Sequence, residues 1–110
     1  MSDSPPPENE GQSPEMVLAM IFSEARVAIL HYMREHPGPV SRAQISEGTG
    51  ISSSWTGDHL LLLERFGAVE ASLPPEQRKG RRDVTWWRND ARISDLITQF
   101  AAALNARGDQ

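Results

Sequence analysis

The sequence predicts a mainly α-helical α+β domain carrying one small β-hairpin, and three observations predict it. Stretches with apolar residues at helical spacing follow one another, opened by capping residues and closed by glycine or proline. A single pair of strand-favouring runs, "AVEASL" and "DVTWWR", stands before the last of them. The 110 residues are 38% hydrophobic, which suits one compact domain with a small core.

Each element has its own signals. "MSDSPPPENEGQ" is proline, serine and acid with almost nothing to bury, so residues 1–13 are expected to be a disordered tail. The folded domain is expected over 14–107, with 108–110 a short loose end. At "SPEM", Ser13 caps, Pro14 suits a first helical position and Glu15 complements the helix dipole. The apolar stretch "MVLAMIF" follows. Ser23 offers a second cap, and "EARVAILHYMREH" continues with Val27, Leu30, Tyr32 and Met33 at helical spacing, either as a second helix or as one kinked helix. "PGP" at 37–39 ends it. "SRAQISEGTG" opens a short helix on Ser41 with Gln44 completing a capping box, and Gly48 and Gly50 stop it. "ISSSWTGDHLLLLERFGAV" is the next helix, capped by Ser52 or Ser53 and ended by Gly67. The two strand runs then form a hairpin whose tip, "PPEQRKG", is long and basic. Asn89 or Asp90 caps the last helix, whose Ile93, Leu96, Ile97, Phe100 and Leu104 form one apolar stripe.

Several function classes drop out. Without cysteine there are no disulfides, thiolate metal sites or cysteine nucleophiles. His31, His36 and His59 are too scattered to argue for a metal site. Paired carboxylates, a nucleophile–histidine arrangement and a phosphate-binding glycine loop are all missing at workable spacing, so no enzyme activity, catalytic residue or cofactor is expected. No apolar run approaches a membrane span and the N-terminus lacks signal-peptide order. A soluble cytoplasmic protein is therefore expected.

The net charge of −4 would disfavour a nucleic-acid ligand if it were spread evenly. It is not. Asp3, Glu8, Glu10 and Glu15 account for all of it, and the rest of the chain balances 11 acids against 11 bases. Within that balance, residues 76–92 carry Arg78, Lys79, Arg81, Arg82, Arg88 and Arg92 against Glu76, Asp83 and Asp90. A phosphate backbone would meet this local excess of positive charge, not the total.

Helix, helix, short turn, helix, hairpin, helix is the order of a winged helix-turn-helix. On "SEARVAILHYM" and "SRAQISEGTGISSSWTGDHLLLLERFGAVEA" the chain resembles the ArsR-like winged-helix regulators, over roughly residues 15 to 105. The resemblance implies a double-stranded DNA partner. The helix near Ser53 would enter the major groove, the hairpin wing would touch the backbone or minor groove, and a homodimer would form from the first and last helices. By position it assigns Ser53, Ser54, Trp55, Gly57 and Asp58, with Ser52 beside them, to the groove-facing side of the recognition helix. His59 and Leu60 fall on a pair in which the histidine is usually structural. Ser41 and Arg42, opening the preceding helix, join the candidate DNA contacts. Asp58 departs from the pattern, since relatives commonly carry a basic or amide side chain there. Metal-sensing members carry cysteines that this chain lacks, so regulation without metal sensing is expected, most simply repression.

The residues themselves leave alternatives open. The serines serve as caps and turn formers or bind phosphate oxygens at a helix N-terminus. Trp55 is a core residue or a large side chain presented to the groove or sugar edge. Thr56, Leu60 and Leu63 share one helix face and are assigned to the core. Leu62 is expected under the wing, and Leu61 exposed or against a partner chain. In the wing, Lys79, Arg81 and Arg82 are the leading contacts and Arg78 the next, since arginine suits phosphate and the narrow minor groove. Trp86 and Trp87 point to opposite sides of a strand, one sealing the core and the other packing on the last helix. The apolar terminal helices need a partner surface. Leu18, Ile21 and Phe22, with Ile93, Leu96, Ile97, Phe100 and Leu104, are therefore the expected dimer interface, which would set two recognition helices on a two-fold site. The competing reading is a winged helix that docks a protein through Asp58 and Glu64, or a plasmid- or phage-borne DNA-organising adaptor. Any small-molecule effector stays open.

Overall fold

The computed structural model describes residues 23–108. The expected tail over 1–13, the expected helix over 14–22 with Leu18, Ile21 and Phe22, and the side chain of Leu104 lie outside the described residues. Within them are helices α1 (Glu24–Glu35), α2 (Arg42–Thr49), α3 (Ser53–Arg65) and α4 (Asp90–Gly108), with strands β1 (Val40–Ser41), β2 (Val69–Ala71) and β3 (Thr85–Arg88). The fold is mainly helical with a small antiparallel sheet.

Helix starts follow local chemistry. Ser23 caps α1 and accepts from the Arg26 N–H. Ser41 and Gln44 close a reciprocal capping box on α2, at 3.1 and 2.8 Å. Ser52 caps α3 through the Trp55 N–H, and Asn89 caps α4 through the Arg92 N–H at 3.0 Å. Gly50 ends α2 at φ 79°, a left-handed turn that glycine adopts without strain, and residues 50–52 lead directly into α3.

β3 is the central strand, in the order β1-β3-β2. The β2–β3 hairpin pairs Val69 with Arg88, Glu70 with Trp87 and Ala71 with Trp86. β1 pairs Val40 with Trp86 and Ser41 with Thr85, so the turn after α1 returns the chain to a sheet that the sequence reading drew as a hairpin alone. The hairpin loop holds a single 3₁₀ turn, Pro75–Gln77.

The core collects Ile29, Leu30 and Met33 of α1, Ile45 of α2, and Leu60 and Leu63 of α3. Val40, Val69 and Trp86 of the sheet, Ala68 and Val84 beside its strands, and Ile93 and Leu96 of α4 complete it. Thr56 is the buried polar member, and its hydroxyl reaches the Ile51 carbonyl at 3.4 Å. The core face expected for α3 is thus present. One expectation is corrected. Ile93 and Leu96 are buried within the protomer, and Phe100 packs partly against the same core, so they are not a free dimer face; Ile97 of the same stripe is exposed, at 48%. Val27, at helical spacing in α1, is exposed. The Trp87 indole N–H donates to Glu70 on the neighbouring strand at 3.2 Å, while Trp86 seals the core.

Candidate nucleic-acid interface

α3 has three working faces, which explains its four consecutive leucines. Leu60 and Leu63 are fully buried. One helical step round, Ser54, Asp58 and Leu61 form a stripe that faces the hairpin loop across an open cleft of about 670 Å³. On the opposite flank lie Trp55, His59 and the half-buried Leu62. The leucine facing the hairpin is therefore Leu61, 52% exposed, and not Leu62.

The cleft gathers residues from three separate regions. α2 and its cap contribute Ser41 and Arg42, α3 contributes Ser53, Ser54, Gly57 and Asp58, and the hairpin loop contributes Arg78, Arg81 and Arg82. Val84 and Trp86 form part of its floor. Of the residues predicted from sequence to contact DNA, Ser52, Trp55 and Lys79 do not line it. Ser52 is occupied as the cap of α3. Trp55 is 62% exposed, which removes the core reading, and its ring stacks loosely on His59 with centroids 6.0 Å apart. Lys79 is exposed at the loop tip.

Gly57 has a spatial role. A Cβ built there would lie 2.8 Å from Arg42 Nη1, so the Arg42 guanidinium lies against the bare helix surface and any larger residue would push this flexible side chain aside.

The basic loop divides by partner. Arg78 donates from Nη1 and Nη2 to the two Glu64 oxygens at 2.8 and 2.5 Å, and from Nε to the Leu73 carbonyl at 2.7 Å. Its guanidinium also lies 4.9 Å from the centre of the Trp86 ring, and the side chain is only 13% exposed. The Glu64 hydrogen bond, set against some desolvation, raises the Arg78 pKa. Most of the Arg78 donors are engaged inside the chain, so besides lining the cleft it anchors the loop to α3 and Trp86. Arg81 pairs with Asp83 through two bonds, at 2.9 and 2.7 Å, which raises the arginine and holds the Asp83 carboxyl below its ordinary range. Both are exposed, so the pair is weak and exchangeable. Further along, Arg88 bonds Asp90 and the Leu30 carbonyl, and Arg92 bonds the Phe66 carbonyl; these two also serve the fold. Arg42, Lys79 and Arg82 have no carboxylate partner among the described residues. Of the basic run over 76–92, Lys79 and Arg82 are therefore left exposed without a carboxylate partner, Arg81 is held only by an exposed pair, and Arg42 joins them from α2.

On the far flank, burial lowers the His59 pKa, with Arg26 adding to the effect and Asp58 opposing it. Among the described residues, no group of three or more histidine, aspartate or glutamate side chains is placed to hold a metal ion. No described helix is long and apolar enough to cross a membrane. No model of a known protein family matches the chain, and no curated protein matches it.

Proposed function

We propose that the chain is a double-stranded-DNA-binding protein of the winged helix-turn-helix type, a homodimeric regulator that represses transcription by occupying a promoter. One observation carries the reading: a single open cleft gathers Ser41 and Arg42, the serine-rich start of α3, and the arginines of the hairpin loop. In this reading α3 is the recognition helix and the loop is the wing. Short hydroxyls and free N–H groups at the start of α3 suit phosphate oxygens, and Arg42, Lys79 and Arg82 supply mobile positive charge. No chemistry is involved; affinity comes from phosphate neutralisation and specificity from a few base contacts. The dimer in this proposal forms through residues 14–22 and the outer part of α4, where Ile97 is exposed, and sets two recognition helices on a two-fold site.

The test is a titration against a random-sequence duplex pool at several salt concentrations, with Lys79→Glu/Arg82→Glu as control. Three free cations per protomer predict a slope of log affinity against log salt of about −5 for a dimer and about −3 for a monomer. The control should lose at least about tenfold in affinity with its melting temperature unchanged. Absence of binding at low salt, or binding indifferent to the control, defeats the reading.

A second reading, a protein-docking winged helix, is favoured by one observation: Trp55 and Val27 are large apolar side chains left exposed at 62% and 45%. Such a module would be indifferent to the wing charge reversal and sensitive to Trp55→Ala.

A further inference from the structure

One group on the helix wall of the cleft has the wrong sign for a phosphate ligand. Asp58 is exposed and shares the cleft with Arg42, Arg81 and Arg82. Among the described residues no ion pair engages it, whereas Glu64, Asp83 and Asp90 each hold an arginine. It stands midway along the stripe Ser54–Asp58–Leu61, one turn inside α3, beyond the capped first turn where hydroxyls and N–H groups meet phosphate oxygens. A carboxylate there repels the backbone of every duplex alike. Within the fold its one resolved effect is a minor electrostatic one on the neighbouring His59, and no arginine pairs with it among the described residues.

Its chemistry narrows what it can bind. An ionised carboxylate only accepts hydrogen bonds, and the donors exposed in the major groove are the amino groups of cytosine and adenine. Adenine sets the N7 acceptor beside its N6 amino group, which opposes a carboxylate. Cytosine presents its N4 amino group with only a C–H beside it. Resting on the DNA-binding reading, we propose that Asp58 is the specificity-determining residue of the cleft, accepting a hydrogen bond from the N4 amino group of one cytosine per half-site. The neighbouring cations bind any sequence; Asp58 lowers that general affinity and restores it at one base pair.

The experiment uses the full chain, with wild type, Asp58→Ala and Asp58→Asn selected in parallel from a random duplex pool, and melting curves checking each fold. Affinities are then measured on the enriched duplex and on one with the selected pair exchanged. Wild type should enrich a C·G pair at one fixed position and lose about 5- to 150-fold when it is exchanged. Asp58→Ala should bind all sequences at least as tightly as wild type while losing that preference. Asp58→Asn should move it toward A·T, because an amide pairs with adenine N6 and N7 together. An Asp58→Ala profile identical to wild type, or a uniform loss of binding to every sequence, overturns the Asp58 assignment while DNA binding by the wild type stands. Absence of wild-type binding to any duplex overturns both.

Discussion

The two walls of the cleft are held by different forces. The helix wall belongs to α3, whose Thr56, Leu60 and Leu63 are fully buried, so its position is fixed by the same burial that folds the domain. The loop wall, residues 73–84, gives the core Val84 and part of Leu73 at its two ends, and between them rests on Arg78, bonded to Glu64 and the Leu73 carbonyl and laid against Trp86. One wall is therefore as stable as the protein, and the middle of the other depends largely on one arginine's set of contacts. A cleft built this way sets a rigid wall opposite an adjustable one.

The largest expected effect tests the first half of that contrast. Leu60→Ala should cost about 2–5 kcal/mol in denaturant unfolding, through lost burial and the cavity left behind, and both walls should be lost together. A loss under about 1 kcal/mol would mean that the core does not hold α3. The second half is tested by Arg78→Ala. It should cost about 1–3 kcal/mol, below the loss for a fully buried pair because Glu64 stays 25% exposed. Amide exchange should accelerate in residues 78–82 while the α3 amides keep their protection; equal acceleration in both would erase the distinction between the walls.

Gly57→Ala separates stability from function on the helix wall. Replacing a mid-helix glycine should stabilise the fold by up to about 1 kcal/mol. The added methyl displaces the Arg42 guanidinium, so duplex affinity should fall several-fold in the same protein, as measured by paired melting and binding curves. If affinity holds, Arg42 is not part of the cleft's charge.

The smallest effect concerns pH on the far flank of α3. Burial keeps His59 below the ordinary histidine value near 6.5, so the unfolded chain takes up that proton at a higher pH than the folded one. The contribution is complete above that value and diminishes as pH falls through it toward the lower folded value. His59→Gln should flatten the decline in melting temperature between about pH 7 and pH 5. An unchanged decline would place the sensitivity elsewhere.

What was legible in the sequence follows from range. The caps at Ser23, Ser41 with Gln44, Ser52 and Asn89 were readable because each acts on an N–H three residues away. The core face of α3 was readable because helical phase fixes Thr56, Leu60 and Leu63 together. The Arg78–Glu64 pair was not, since its partners are 14 residues apart and five other basic residues between 76 and 92 look alike in a string. Nor was β1, two residues long with no alternation to mark it. In the apolar stripe of α4, Ile93 and Leu96 read as a dimer face are buried within the protomer: periodicity identifies an apolar surface but not what covers it. Phase also left Trp55 undecided, because its place one step from Thr56 fits a core edge as well as an exposed flank.

The strand order carries a consequence for how the chain is made. β1 and β2 are both partners of β3 and not of each other, so neither edge has a neighbour until Thr85–Arg88 has left the ribosome. Until then Val40 and Val69 have no sheet to join, and the helices made earlier lack Trp86 as a floor. Synthesis from the N-terminus therefore holds the nascent domain open until its last quarter appears. A stop codon between positions 72 and 85 would remove one of the three described strands and, with it, every rung of the sheet.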